Sequence, residues 1–202
     1  MAYLPTTTSR RLAWLSAPLA LLATTAALAH PGVLPHTHGG SFAAGIMHPL
    51  TGLDHLLAML AIGLWSARQA PMLRRWMPLV IALGMICGAG LAWAGVPLLG
   101  VEFGIASSVL LAGILVATLV KLPTAVGGPL VFAFILMHGH AHGSELAPDA
   151  SAALFALGFL ISSVGITLVG RTLGSWLSRR DSRWLRGIGA AIAAVGGSML
   201  LS

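Results

Sequence analysis

The stretch MHGHAHGSE, residues 137–145, combines histidines with an acid at a spacing that suits metal binding. His138 and His142 are four residues apart, so on a helix their imidazoles lie on one face and can bind one metal ion together. Glu145 follows three residues later on nearly the same face. His140 points elsewhere on a regular helix and is a candidate accessory ligand. The alternative interpretation is a polar helix end with solvated histidines.

A second polar stretch, HPLTGLDH at residues 48–55, interrupts an apolar run. His48 and His55 share a face of a helix but lie about 10.5 Å apart along it, too far to bind one ion together. Either they are successive stations on a path, or Pro49 and Gly52 break the helix between them. Broken helices that line a cavity are where transporters place ion sites.

Asp54 lies about 12 residues into this apolar run, near the expected midplane of a membrane. A carboxylate there costs at least about 2.5 kcal/mol, so Asp54 needs a partner. We expect Asp54, His48 and His55 to be metal ligands. In the structural alternative, His48 caps an unwound turn and Asp54 holds a neighbouring helix by hydrogen bonding.

The two stretches are expected to meet at one site, with His138 at a depth similar to that of His48. Imidazole and carboxylate ligands without thiolate suit divalent nickel, cobalt, zinc or copper(II). The single cysteine, Cys87, lies in an apolar run and is expected to be a small buried residue. Further candidate accessory ligands, each with a structural alternative, are His30, His36, His38 and Glu102. Asp149 is expected only to start a helix.

The composition identifies the class of protein that must position these residues. The chain has 202 residues, of which 57% are hydrophobic and only 8% charged, with a mean hydropathy of +0.92. Soluble domains carry roughly 25% charged residues, so the sequence predicts a polytopic membrane protein. The net charge of +6 follows from membrane topology and does not indicate nucleic-acid binding.

The predicted fold is all-α, a bundle of six transmembrane helices after a cleaved signal peptide. Residues 1–29 carry Arg10 and Arg11, an apolar stretch and an A-x-A cleavage signal, although an uncleaved first helix is the alternative. Residues 30–202 form one domain without an inserted soluble domain. Its spans, each long enough for a membrane, are predicted at about 42–67, 76–96, 102–120, 123–144, 150–174 and 185–201.

The basic residues predict the orientation in a bacterial inner membrane. With the mature N-terminus and C-terminus in the periplasm, every Lys and Arg after the signal peptide falls on the cytoplasmic side. The histidines sort the other way, into the outer half of the membrane or near its midplane. This distribution indicates a route for cations that enter from outside.

Glycine is abundant, with 25 residues, which indicates closely packed helices. Gly84 and Gly88 form a small-xxx-small pattern, and glycines recur on other predicted spans at 158, 165, 196 and 197. A dimerisation face at Gly84 and Gly88 is the alternative to packing within the chain, so a homo-oligomer is left open.

The two histidine stretches resemble the signature motifs of the HupE/UreJ family. The family's first motif, a histidine, five residues and Asp-His, is met by His48, Asp54 and His55. Its second, Phe-His-Gly-x-Ala-His-Gly-x-Glu, is met from His138 to Glu145, with Met137 in place of the phenylalanine, a change that affects packing. The resemblance extends over nearly the whole chain.

The resemblance implies a secondary nickel permease associated with hydrogenase or urease systems. We therefore expect import of Ni²⁺ without ATP and without a resident cofactor, and no enzymatic activity. A cobalt permease of the same type is one alternative. A membrane-embedded zinc hydrolase that uses the same His/Asp/Glu cluster is another, and a metal-sensing accessory subunit is a third. The expected partners are the divalent ion and the lipid bilayer.

Overall fold

The computed structural model describes residues 41–146 and 151–202, which form seven helices and no strand. The helices are α1 (Ser41–Thr51), α2 (Leu53–Ser66), α3 (Pro71–Trp93), α4 (Val101–Thr118), α5 (Thr124–Ser144), α6 (Ala152–Arg180) and α7 (Ser182–Met199). The all-helical prediction is confirmed for these residues. The predicted signal peptide at 1–29, Asp149 and the histidines at 30, 36 and 38 lie outside the described residues.

Four of these helices, α3 to α6, are each long and apolar enough to cross a membrane. The pair α1 and α2 counts as a fifth span if the two bent helices are taken together. The predicted sixth span, 185–201, coincides with α7, which is helical but less apolar because Arg183 and Arg186 lie in its first turns. The structure therefore supports a multi-pass membrane protein, with four or five spans identified among the described residues.

The first predicted span is broken at Gly52, where the chain bends by 75°. Gly52 has an extended conformation, with φ −76° and ψ 112°, between α1 and α2. The break keeps its backbone groups satisfied, because the Gly52 amide donates to the His48 carbonyl at 3.1 Å and the Thr51 hydroxyl donates to the same carbonyl at 3.1 Å. Of the two interpretations of the HPLTGLDH stretch, the broken helix is the one that the structure shows.

Glycines bring the helices together in three closely packed pairs. The broken helix α1–α2 runs parallel to α6, α3 runs parallel to α5, and α4 runs antiparallel to α7. An added Cβ at the contact glycines would overlap the partner's backbone, as at Gly45, Gly63, Gly88, Gly113, Gly139, Gly158, Gly170, Gly189 and Gly196. The prediction of close packing is confirmed for these positions, whereas Gly165 and Gly197 have open space beside them.

The suggested dimerisation face at Gly84 and Gly88 is wrong. Gly84 packs against Ile135, and Gly88 packs against the backbone from Leu136 to His140 of α5 in the same chain. Both glycines are buried. This surface is therefore occupied within the protein and is not available to a second copy.

Side-chain hydrogen bonds link helix ends and connections at both ends of the bundle. At one end, Trp65 Nε1 donates to the Val120 carbonyl at 2.9 Å, and Gln69 Nε2 donates to the same carbonyl at 3.1 Å. These bonds join the α2–α3 and α4–α5 connections. At the other end, Trp93 Nε1 donates to the Gly143 carbonyl at 3.1 Å and joins the ends of α3 and α5.

Candidate metal-binding site

Three residues from the two predicted motifs meet at one end of the bundle. His48 Nε2 lies 2.8 Å from Glu145 Oε2, and His142 Nδ1 lies 3.8 Å from the same oxygen. One ligand atom from each residue lies within 4.8 Å of the others. The ring centroids of His48 and His142 are 4.6 Å apart and nearly perpendicular, at 85°. Two imidazole nitrogens and a carboxylate oxygen thus converge on a volume that suits one divalent cation.

The break in the first span brings these residues together. Gly45 lets α1 pack tightly on α6, and the bend at Gly52 redirects the chain after His48. As a result His48 and His55, which a straight helix would hold about 10.5 Å apart, both contact the same residue of α5. Their ring centroids each lie 4.6 Å from that of His142. His142 is therefore the histidine of α5 that lies beside His48.

His55 forms the next layer of the cluster, on the inner side of His142. His142 Nε2 lies 2.7 Å from His55 Nδ1, and His55 Nε2 lies 2.9 Å from the hydroxyl of Ser163 on α6. His55 is 1% exposed, whereas the side chain of Glu145 is 57% exposed. The histidines therefore lead from an accessible carboxylate to a fully buried imidazole.

His138 lies one helical turn before His142 and belongs to the buried part of the cluster. Its ring centroid is 5.1 Å from that of His55, and its Nε2 lies 2.8 Å from the Ser108 hydroxyl of α4. The spacing of His138 and His142 predicts that they bind one metal ion together. The group of three ligands that the structure brings together contains His142 but not His138. His138 is placed to act deeper in the bundle than the group formed by His48, His142 and Glu145.

Asp54 lies at the start of α2, beside the helix break. Its Oδ1 accepts a hydrogen bond from the backbone amide of His55 at 2.6 Å. A carboxylate in the first turn of a helix is stabilised by the helix dipole, so the break reduces the cost of a charge that would otherwise lie within a continuous span. Asp54 is not part of the group formed by His48, His142 and Glu145.

Two phenylalanines of α6 cover one side of the histidines. The ring centroid of Phe155 is 6.2 Å from that of His48, and that of Phe159 is 5.9 Å from that of His142. Both phenylalanines are buried. Their rings limit the access of water from the α6 side, so the open approach to the cluster is past Glu145 and His48.

Glu145 follows the last residue of α5 and supplies the negative charge of the group. Beside the imidazoles of His142 and His48, the pKa of its carboxyl is held below its ordinary value. We attribute most of this shift to His48, because its Nε2 is within hydrogen-bond distance at 2.8 Å whereas His142 Nδ1, at 3.8 Å, is not. The carboxylate is therefore ionised at neutral pH and can offset the charge of a cation.

The accessory candidates within the described residues lie away from this group. His140 Nε2 donates to the Val96 carbonyl at 2.9 Å, on the side of α5 that faces the end of α3. Glu102 is exposed in the first turn of α4, where the helix dipole favours an acid. His140 thus has a structural partner, and Glu102 occupies the ordinary position of a helix-start residue.

The sequence analysis did not identify the residues that support the histidines. Ser108 and Ser163 hydrogen-bond to His138 and His55, and Phe155 and Phe159 form the apolar wall. The available signal was the presence of serine pairs within apolar runs, SSVLL at 107–111 and ISSVG at 161–165. In each run one serine, Ser108 or Ser163, also hydrogen-bonds to a histidine on another helix.

Comparison with known proteins agrees with this architecture. The family described as HupE / UreJ protein matches residues 18–199. The chain is 37% identical over 183 residues to Protein HupE of Rhizobium leguminosarum bv. viciae, an alignment that covers 88% of this chain and 95% of that protein. No solved structure matches the chain. The protein therefore belongs to the HupE/UreJ family, a family of metal permeases and not of enzymes.

Proposed function

We propose that the protein is a secondary permease that imports a divalent transition metal from the periplasm to the cytoplasm, and that this metal is Ni²⁺. His48, His142 and Glu145 form the entry site for the ion. His55 and His138 form the deeper stations, and Asp54 contributes negative charge beside them. The proposal extends to supply of nickel for hydrogenase or urease maturation.

The observation that carries this proposal is the graded burial of the histidine cluster. It starts at an exposed carboxylate, passes the half-buried His48, and ends at His55 and His138, which are each 1% exposed. A resident metal centre would need only one closed group of ligands. A series of imidazoles that extends from the surface into the bundle suits an ion that exchanges its hydration water in steps.

The charge distribution supports the direction of transport. Basic residues lie in or beside the connections between α2 and α3, α4 and α5, and α6 and α7. None of the nine Lys and Arg residues after position 40 lies at the end that holds the histidine group. Basic residues mark the cytoplasmic side of a membrane protein. The metal site then faces the periplasm, with α7 as a sixth crossing and a cleaved signal peptide before residue 30.

The driving force does not require a nucleotide. The sequence contains no G-x-x-x-x-G-K-[ST] motif. A membrane potential of 100 mV supplies about 4.6 kcal/mol for a divalent ion, at about 2.3 kcal/mol per charge. The potential alone can therefore concentrate the ion, and proton exchange or cytoplasmic trapping are the further sources.

The experiment that tests the proposal is uptake of radioactive nickel and cobalt into proteoliposomes. The intact protein is expected to catalyse saturable uptake, and His142→Ala is expected to reduce it at least tenfold because the residue contacts both His48 and His55. The matched control is His140→Gln, a histidine on the same helix whose bond to the Val96 carbonyl an amide can replace. It should retain most of the flux.

Undiminished nickel flux in His142→Ala would exclude this site. Equal losses in both variants would mean that damage to α5, and not loss of a ligand, explains the result. Preference for cobalt over nickel in the same assay would select the alternative cargo, which the same donor atoms accommodate.

The zinc hydrolase alternative receives no support. The chain belongs to a family of metal permeases and not of enzymes. We therefore do not retain it. The accessory-subunit alternative predicts metal binding without flux, which the proteoliposome assay distinguishes directly.

A further inference from the structure

We propose that Ser163 is a positioning residue of the metal site, which fixes the tautomers of His55 and His142 so that His142 presents a bare Nδ1 to the incoming ion. This inference rests on the proposed function of the site. It concerns a residue of α6 outside both histidine motifs.

The first step is the direction of the Ser163 hydroxyl. Its Oγ lies 2.6 Å from the Phe159 carbonyl, four residues earlier in the same helix. A carbonyl oxygen only accepts hydrogen bonds, and serine has a single hydroxyl hydrogen. The Ser163 hydrogen is therefore donated to Phe159, and its oxygen is left as an acceptor for other groups.

The second step fixes His55. Its Nε2 lies 2.9 Å from the Ser163 oxygen, which can now only accept, so this nitrogen carries the hydrogen. A neutral imidazole has one N–H and one bare nitrogen. The bare nitrogen of His55 is consequently Nδ1.

The third step fixes His142 in the same way. Its Nε2 lies 2.7 Å from the bare His55 Nδ1 and must donate to it. The hydrogen of neutral His142 is then on Nε2, and its Nδ1 is bare. This Nδ1 is buried and has no hydrogen-bond partner within the described part of the chain.

The series of hydrogen bonds from Ser163 through His55 ends at His142, where the geometry suits a cation. The bare Nδ1 of His142 faces a carboxylate oxygen of Glu145 at 3.8 Å, so two acceptors point at each other without a hydrogen between them. A buried acceptor in that position costs free energy unless a donor or a cation satisfies it. The hydrogen-bonded series Ser163–His55–His142 thus keeps the ligand nitrogen of His142 bare before the ion arrives. Outer-shell partners of metal-bound histidines generally fix the tautomer in this way.

Ser108 repeats the arrangement on another helix, which shows that it is a recurrent feature of this site. Its hydroxyl donates to the Ile105 carbonyl at 2.7 Å and its oxygen lies 2.8 Å from His138 Nε2. By the same reasoning His138 carries its hydrogen on Nε2 and has a bare Nδ1. Ser162 offers the contrast, because it is buried beside Ser163 but its hydroxyl has no hydrogen-bond partner among the described residues.

The test compares Ser163→Ala with Ser163→Thr and the control Ser162→Ala, each purified at full length. Titration with Ni²⁺ is expected to show about 10–100-fold weaker binding for Ser163→Ala, the usual effect of removing such a partner. Ser163→Thr keeps the hydroxyl and should restore most of the affinity. Ser162→Ala should bind within about twofold of the intact protein.

A second readout does not depend on metal. In the metal-free protein with ¹⁵N-labelled histidine, ¹⁵N resonances distinguish a protonated from a bare ring nitrogen, and assignment by His55→Gln and His142→Gln should identify Nε2–H tautomers at both positions. Ser163→Ala should add a population of the other tautomer, and Ser162→Ala should not.

An Nδ1–H tautomer of His142 in the intact protein would overturn the inference whether or not the protein transports metal. Unchanged affinity in Ser163→Ala, or equal loss in Ser162→Ala, would also overturn it. If the tautomers are as expected but the intact protein binds no Ni²⁺, the proposed function fails while the tautomer assignment stands.

Discussion

At the scale of single residues, His142 is the point where the two motifs join. One of its ring nitrogens faces His55 and the other faces the group formed by His48 and Glu145. An ion on the outer nitrogen is therefore separated from the inner histidine by the width of one imidazole ring. In the proposed transport path, this proximity would make His142 the step between the entry site and the buried histidines.

Glu145 leads to a prediction about pH. Because the pKa of its carboxyl is lowered, Glu145 stays ionised at neutral and mildly acidic pH. Glu145→Gln should lower uptake about tenfold, and the ratio of the two rates should be the same at about pH 7.5 and about pH 5.5.

The measurement is initial uptake into proteoliposomes with the internal pH held constant. A ratio that approaches one at the lower pH would show that the carboxyl of the intact protein is protonated there, contrary to the expectation. Glu102→Gln, a change to an exposed acid at the start of α4, is the control and should leave uptake unchanged.

The residues of the site were predictable from the sequence to the extent that they are chemically costly in a membrane. His48, His55, His138, His142 and Glu145 are polar groups in or beside apolar runs, and the structure brings them together. The choice of which histidine faces which was not predictable. It depends on the bend at Gly52, which directs His48 to His142, and the spacing of residues along the chain does not specify that bend.

At the scale of helices, the break between α1 and α2 is the feature that makes the site. Its 75° bend lets two histidines seven residues apart contact one residue of another helix. It also converts Asp54 from a charge within a span into a helix-start residue. Pro49 and Gly52 indicated the break in the sequence, although neither residue specified the angle or direction of the bend.

Gly52→Ala tests whether the break is needed for binding. Alanine favours a continuous helix by about 1 kcal/mol relative to glycine, and its Cβ would lie 3.2 Å from Asp54 Oδ1 and 3.6 Å from the His48 carbonyl. The φ of −76° is accessible to alanine, so the backbone itself is not strained. Nickel affinity is expected to fall by up to about fivefold, since 1.4 kcal/mol corresponds to tenfold.

Titration of the purified variant with Ni²⁺ measures this effect. The control is Gly90→Ala in α3, where an added Cβ meets no atom within 4 Å. It should leave affinity unchanged. Tighter binding by Gly52→Ala than by the intact protein would contradict the view that the bend assembles the site.

At the scale of the whole molecule, the three glycine-packed helix pairs hold the site at the end of the bundle opposite the one that carries the basic residues. The sequence predicted an all-helical membrane protein because several apolar runs are long enough to cross a membrane, although only four or five of the six predicted spans are identified among the described residues. It did not predict the pairs, because glycine spacing shows that helices approach closely without showing which helices do so. Gly84 and Gly88 illustrate this, since the same pattern was compatible with a contact inside the chain or between chains.

The arrangement predicts that a membrane potential drives accumulation. In proteoliposomes with a valinomycin-imposed potassium potential of about 100 mV, inside negative, the nickel ratio should rise by up to about three orders of magnitude, from about 4.6 kcal/mol for two charges. Without a potential or pH gradient, uptake should stop at equal concentrations. Accumulation that follows an imposed pH gradient and ignores the potential would instead identify proton exchange.

The small number of converging ligands has a consequence for how the ion travels. His48, His142 and Glu145 supply three donor atoms, and the exposed side of Glu145 leaves the rest of the coordination sphere to water. An ion held in this way is only partly dehydrated on entry, so it can leave by exchanging a few ligands at a time. Such a site favours turnover over retention and selects cations that tolerate mixed shells of water, imidazole and carboxylate.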